Sequence, residues 1–152
     1  MLYPFLLSQT VEPTPSLNMT TTSFTELDPR TNEPVVHDYF VRLNQSDFIA
    51  TADLFSEQGG LKPPFEGIIT GRSAIAEYLE KEALGMKIFP THMRTTMSDQ
   101  SYTQYQVQGK VKTNYFTLNA SWLINLNTVK EITFVEIKLL ENLSDLLAFK
   151  HH

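Results

Sequence analysis

The chain has 152 residues, 41% hydrophobic and 11% aromatic, enough for one globular domain with a sizeable core and short of what two would need. Its 12 Lys plus Arg against 17 Asp plus Glu leave a formal charge of −5 with no basic run, which argues against nucleic acid or an anionic membrane surface as a partner. Cysteine is absent, so disulfides, thiolate metal sites and thiol nucleophiles are excluded, and the expected location is cytoplasmic.

No apolar run approaches the roughly 18 residues of a spanning helix, so no stable membrane insertion is expected. The first residues, MLYPFLLSQ, are apolar but short, carry Pro4 and have no preceding Lys or Arg, and so make a poor signal peptide. Residues 1–33 are rich in Thr, Ser and Pro and lack periodicity, which reads as a largely disordered N-terminal arm. Leu2, Tyr3, Phe5, Leu6 and Leu7 are its one apolar cluster, either a frayed terminus or a segment that docks.

One domain is expected over residues 34–150. Pro34 suits a first helical turn, and Val35, Val36, Tyr39, Phe40 and Leu43 form one apolar stripe behind it. Asn44 to Ser46 break that helix. Ser46 then caps a second, whose inward face is Phe48, Ile49, Ala52 and Phe55 and which Gly59 and Gly60 end. Pro63 and Pro64 hold the next stretch extended, at an edge or turn. After Ile68 and Ile69, Ser73 caps a third helix with Ile75, Tyr78, Leu79 and Ala83 on one face, and Gly85 stops it.

From Lys87 the period changes to two. Tyr105, Val107, Val111 and Tyr115 alternate with Gln and Lys in a long strand, with Gly109 as a bulge or bend. A second strand places Ala120, Trp122, Ile124 and Leu126 on one face, and Asn127 to Lys130 turn the chain. Ile132 to Leu140 is apolar on both faces for much of its length and reads as a central strand. A short helix from about Ser144 to Lys150 follows. The order predicts an α+β fold in which helices close one side of a strongly bent antiparallel sheet, leaving an apolar cup suited to a small molecule.

Acid–base candidates are weak. His37 and Asp38 lie beside the inward stripe of the first helix, His92 falls in a polar stretch after Pro90, His151 and His152 are terminal, and Asp53 and Glu77 have no inward position. Glu136 shares a strand face with Phe134 and Lys138, which favours pairing with Lys138 outside. No metal spacing, phosphate loop or nucleophile elbow is present. The aromatic set is stronger: Tyr39, Tyr105, Tyr115 and Trp122 all fall on expected inward faces. The plainer reading is an aromatic core whose polar atoms bond backbone or water. The other is a pair of donors aimed at a carbonyl oxygen deep in the cup.

The segments DYFVRLNQSDF, LFSEQGGLKPPFEGIITGR, EALGMKIFP, YTQYQVQGKVKT and FVEIKLL, over about residues 35–149, resemble the carotenoid-binding C-terminal domain of the orange carotenoid protein of cyanobacteria and its stand-alone homologues. Pro-Pro-Phe followed by Gly-Arg is the most specific part. The resemblance implies the nuclear-transport-factor-2-like cone, a non-covalently bound ketocarotenoid of the echinenone or canthaxanthin type, and a non-catalytic role in binding and transfer linked to photoprotection. It also implies that Tyr39 and Trp122 hydrogen-bond the keto oxygen, with ring contacts at Ile88, Thr113, Asn114, Tyr115 and Ile137. The family has Pro-Trp where this chain has Asn114-Tyr115, and the segment from Tyr115 to Trp122 is about four residues shorter here, which alters the ring pocket. The Cys that often links stand-alone dimers in the family is missing. Expected partners are a second copy, as a homodimer, or a separate helical carotenoid-binding-domain protein. The competing expectations are an isomerase- or hydrolase-type enzyme of the same cone, and a plain binding module for another small hydrophobic ligand.

Overall fold

Pro34 does open the first helix. In the computed structural model, which describes residues 33–140 and the two-residue strand β1 (Thr25–Glu26), α1 spans Pro34–Asn44 with the proline at its N-terminal position. Val36, Tyr39, Phe40 and Leu43 are its buried residues, the i, i+3, i+4, i+7 stripe of a helix lying on a core. The expected arm falls mostly outside the described residues, as does the helix expected from Ser144. Of the arm, β1 is described, and it pairs antiparallel with Met93 and His92.

The second helix is shorter than its pattern implied and is capped differently. Ser46 sits in the left-handed region at φ 58, which an N-cap does not adopt. Asp47 caps instead, its Oδ1 accepting from the Ala50 N–H at 3.2 Å, and α2 covers Phe48–Ala52. Ile49 is therefore 72% exposed, while Phe55 is buried as the first residue of a strand, β2 (Phe55–Lys62). Gly59 and Gly60 lie inside β2 rather than ending a helix. A Cβ on Gly59 would stand 3.0 Å from the Ile132 carbonyl oxygen, so the close approach of the neighbouring strand needs glycine there.

Beyond the Pro63-Pro64 turn, β3 (Ile69–Thr70) pairs antiparallel with β2, and Gly71, not Ser73, is the N-cap of α3 (Arg72–Glu82). Arg72 Nε donates to the Phe55 carbonyl oxygen at 2.8 Å and fastens the start of α3 to β2. Ile75 and Leu79 are the buried residues of α3.

Four long strands follow: β4 (Lys87–Ser98), β5 (Tyr102–Lys112), β6 (Thr117–Asn127) and β7 (Ile132–Leu140). The sheet order is β1-β4-β5-β6-β7-β2-β3. All described pairs are antiparallel except β2 with β7, which is parallel, so the sheet is mixed where an antiparallel one was expected. His92 lies in β4, not in a loop: Pro90 reads locally as a turn signal but sits at a register shift of β4. Opposite it, a Cβ on Gly109 would lie 2.6 Å from the Phe89 carbonyl oxygen and 2.8 Å from Pro90 Cα. Only the missing side chain lets β4 fold over the inner face of β5, and this is the bend expected at Gly109.

Cross-strand register puts Val107, Trp122 and Ile137 in one row of the inner face and Tyr105, Ile124 and Val135 in the next. α1 lies against these rows, with the Phe40 ring edge-on to Trp122 at a centroid distance of 5.2 Å. β7 is interior in the sheet as expected, yet Glu136 and Lys138 on its outer face form no ion pair among the described residues; Glu136 instead faces Leu123 and Lys62 across the neighbouring strands. The architecture is the α+β, nuclear-transport-factor-2-like cone, a curved sheet closed by helices.

Candidate functional site

Burial first identifies the site. Tyr39 and Trp122 are among the largest fully buried side chains, at 0% and 1% exposure, and both line an apolar cavity of about 180 Å³. Leu43, Leu79 and Ile88 complete its buried floor, and Ile137 and Leu139 of β7 form one wall. The half-buried residues Pro64, Ala83, Met86, Thr113 and Leu118 lie around its open end. The cavity thus sits between α1, the end of α3, the Pro63-Pro64 turn and the ends of β5, β6 and β7.

The Tyr39 hydroxyl is the unusual group. It is buried with no hydrogen-bond partner among the described residues, whereas a buried hydroxyl is normally paired. Burial raises its pKa far above the ordinary tyrosine value, so it is a neutral donor throughout the physiological range. The Phe40 and Phe55 rings hold it edge-on, at centroid distances of 5.0 and 6.3 Å, and the stiff ring leaves the hydroxyl little freedom to turn elsewhere. Water is a poor complement, since a buried water needs two to four polar partners and this floor offers mainly donors. An acceptor oxygen carried on an apolar body would satisfy it.

The hydroxyls of Thr113 and Tyr78, also on the lining, are already occupied. Thr113 Oγ1 donates to the Phe116 carbonyl oxygen at 3.0 Å and accepts from the Tyr115 and Phe116 N–H groups. The Tyr78 hydroxyl donates to Glu66 Oε2 at 3.1 Å; its pKa is raised by burial first and by that carboxylate second. Glu82 is the carboxylate on the lining, and it is exposed, at the end of α3.

Five of the seven residues that the resemblance singled out come together on this cavity: Tyr39, Ile88, Thr113, Trp122 and Ile137. Asn114 and Tyr115 do not. β5 ends at Lys112, and the chain turns back at once through the hydrogen bond from Thr113 N–H to the Phe116 carbonyl, which points Tyr115 outward at 88% exposure. Tyr105 is half-buried in the core away from the cavity, beside Glu33; burial and then that carboxylate raise its pKa. The acid–base candidates stay apart: Asp38 pairs with Arg42 at 4.0 Å, and Asp53 and Glu77 lie in a surface groove between α2 and α3. The local pattern missed Pro63, Pro64, Met86 and Leu118 as lining residues, because a turn, a loop and a strand end have no period to reveal an inward direction.

No family model matches the chain. It is 34% identical over 123 residues to the orange carotenoid-binding protein of a Synechocystis species, covering 78% of this chain and 38% of that protein. It is 31% identical over 137 residues to the orange carotenoid-binding protein of Limnospira maxima, covering 88% of this chain and 43% of that one. The solved structure of the Anabaena (Nostoc) orange carotenoid protein binding canthaxanthin superposes with a TM-score of 0.73 at 31% identity, covering 93% of this chain and 47% of that chain. The chain is a homologue of the orange carotenoid proteins. It spans less than half the length of the curated relatives it matches, and its fold is like that of their C-terminal domain. For this homologue, more distant likenesses show the fold alone: an NTF2-like protein of unknown function from Cytophaga hutchinsonii (TM-score 0.57, 20% identity) and a ketosteroid isomerase-like protein from Erwinia carotovora (TM-score 0.56, 11% identity).

Proposed function

We propose that the chain binds a ketocarotenoid of the echinenone or canthaxanthin type without covalent attachment and passes it to other proteins, in a photoprotective context and without catalysing a reaction. The observation that carries this reading is the unpaired Tyr39 hydroxyl on the floor of an apolar cavity beside Trp122. A keto oxygen is the acceptor this floor lacks, and a terminal ring with its methyl groups is the apolar body the walls would bury. The orange carotenoid-binding relatives, one of them solved with canthaxanthin, support the same ligand class.

A cavity of about 180 Å³ holds one end of such a molecule and leaves the polyene outside. Phe65, Leu84, Tyr115 and Phe116, exposed at 82, 63, 88 and 55%, follow directly on or near lining residues and give the open end an apolar surround. Such a surface favours a cover, either a second copy in a homodimer or a separate helical carotenoid-binding domain. An isomerase or hydrolase would need an acid or base at the floor. Glu82, the lining carboxylate, is at the exposed end, so the binding reading is preferred.

Expression in a bacterium that makes canthaxanthin is expected to yield coloured protein with a red-shifted visible band. Tyr39→Phe with Trp122→Phe, which removes both donors and keeps an aromatic ring at each position, is expected to bind with the shift lost. Colourless wild-type protein under those conditions would rule the reading out.

A further inference from the structure

The C-terminal end of the helix that carries Tyr39 is fastened to the sheet by a side chain that reads one residue of β4. Asn44, the last residue of α1, donates from Nδ2 to the Ile88 carbonyl oxygen at 2.8 Å and accepts at Oδ1 from the Ile88 N–H at 2.7 Å. Lys87 Nζ completes the joint by donating to the Asn44 carbonyl oxygen at 2.8 Å. A carboxamide that reads both polar atoms of one residue stands in for a neighbouring strand. Among the described residues β4 has room for it there, because its other neighbour, β1, pairs with it at Met93 and His92.

At the other end of α1 the N-cap residue Glu33 pairs with Lys130 of the β6–β7 turn at 2.8 Å, and between the two ends the hold is of a different kind. Phe40 on Trp122 and Tyr39 on Phe55 are ring contacts, which resist separation but tolerate sliding and rotation. Arg42 Nη1 donates to the Ala50 carbonyl oxygen at 2.9 Å, which ties α1 to α2 rather than to the sheet. Ile88 belongs to the cavity floor, and Tyr39 stands five residues before Asn44, about 7.5 Å along a rigid helix. The Asn44 joint fixes the C-terminal end of α1 beside the cavity floor, and with it the position of Tyr39 relative to Trp122. A hydrogen bond tolerates only a few tenths of an ångström in length, so a small slip of α1 would leave a ligand oxygen bonded to one donor rather than two.

We infer that Asn44 is the positioning residue of the two-donor floor and thereby sets the preference for a ketone over a hydrocarbon of the same shape. The inference rests on the ketocarotenoid reading, and its test separates the two. The probes are canthaxanthin and β,β-carotene, presented together in the same detergent micelles, and the readout is the ratio of their apparent affinities. Wild-type protein is expected to prefer the ketone by about tenfold or more, the ratio for two modest net hydrogen bonds to buried donors. Asn44→Leu is expected to bring the ratio to within about twofold of unity, while binding of the hydrocarbon changes by less than about threefold. A merely structural defect would weaken both ligands alike and leave the ratio intact, and that result would overturn the inference. Asn44→Asp, which keeps the acceptor for the Ile88 N–H and loses the donor, is expected to give an intermediate ratio and carries the test should the leucine variant fold poorly; a wild-type ratio in Asn44→Asp then overturns it. No ketone preference in the wild-type protein refutes the ligand reading and this inference with it.

Discussion

Tyr39→Phe is expected to stabilise the unliganded protein. The hydroxyl is fully buried and has no partner among the described residues, so folding removes it from water without a replacing hydrogen bond there. Mutational data put that cost at about 1–3 kcal/mol for a polar group left without a partner. The substitution deletes one oxygen from a residue that lines an existing cavity, so it introduces no clash and little new void to offset the gain. The ring contacts with Phe40 and Phe55 remain. A net gain of about 1–2 kcal/mol should appear as a higher urea midpoint at unchanged slope and a melting temperature raised by roughly 3–6 °C. The same substitution should weaken retention of a ketocarotenoid, so stability and binding move in opposite directions, as expected where a site holds an unsatisfied donor in reserve. Destabilisation of the unliganded protein by about 1 kcal/mol or more would mean that the hydroxyl is satisfied in solution, and would refute the argument.

Alkaline stability should depend on the same residue. The pKa of Tyr39 is raised in the folded state, so its contribution is fully present below about pH 10, where the unfolded chain ionises, and is lost as pH climbs beyond that. Denaturant titrations between pH 9 and 11, about the tyrosine range, should show a steeper fall for wild type than for Tyr39→Phe; parallel curves would contradict the burial assignment. Gly109→Ala should destabilise by about 2 kcal/mol or more, because its Cβ would meet the backbone of β4 rather than a movable side chain. Chemical denaturation measures this, and a neutral result would mean that the β4 bend relaxes easily. Tyr115→Ser with Phe116→Ser should leave the unfolding midpoint nearly unchanged, since both residues are exposed, yet shift loaded protein toward monomer in sedimentation runs. Unaltered association would place the contact elsewhere.

The stripe of α1 and the alternation of β5 and β6 were legible because each spans enough residues to show a period, and the turn at Asn127 because it interrupts that alternation. Trp122 and Tyr39 were legible as inward residues for the same reason, and as a donor pair through the resemblance. The segment from Phe48 to Lys62 was not. Four apolar residues at helical spacing hid a five-residue helix followed by a strand, which its partners β7 and β3 hold in the sheet. Pro90 and Ser46 misled in the same way, each having one local meaning and another imposed by its neighbours.

What the sequence determined by itself is the fold class, the inward direction of the long elements and the kinship with orange carotenoid proteins, all of which depend on pattern along the chain. The tertiary structure alone decided that the Tyr39 hydroxyl has no partner among the described residues, that Tyr115 turns out to solvent and that Asn44 grips Ile88 from 44 residues away. Satisfaction of a buried polar atom is a property of everything around it in space. No local run of residues encodes it, and it is on such an unsatisfied atom that the proposed ligand site depends.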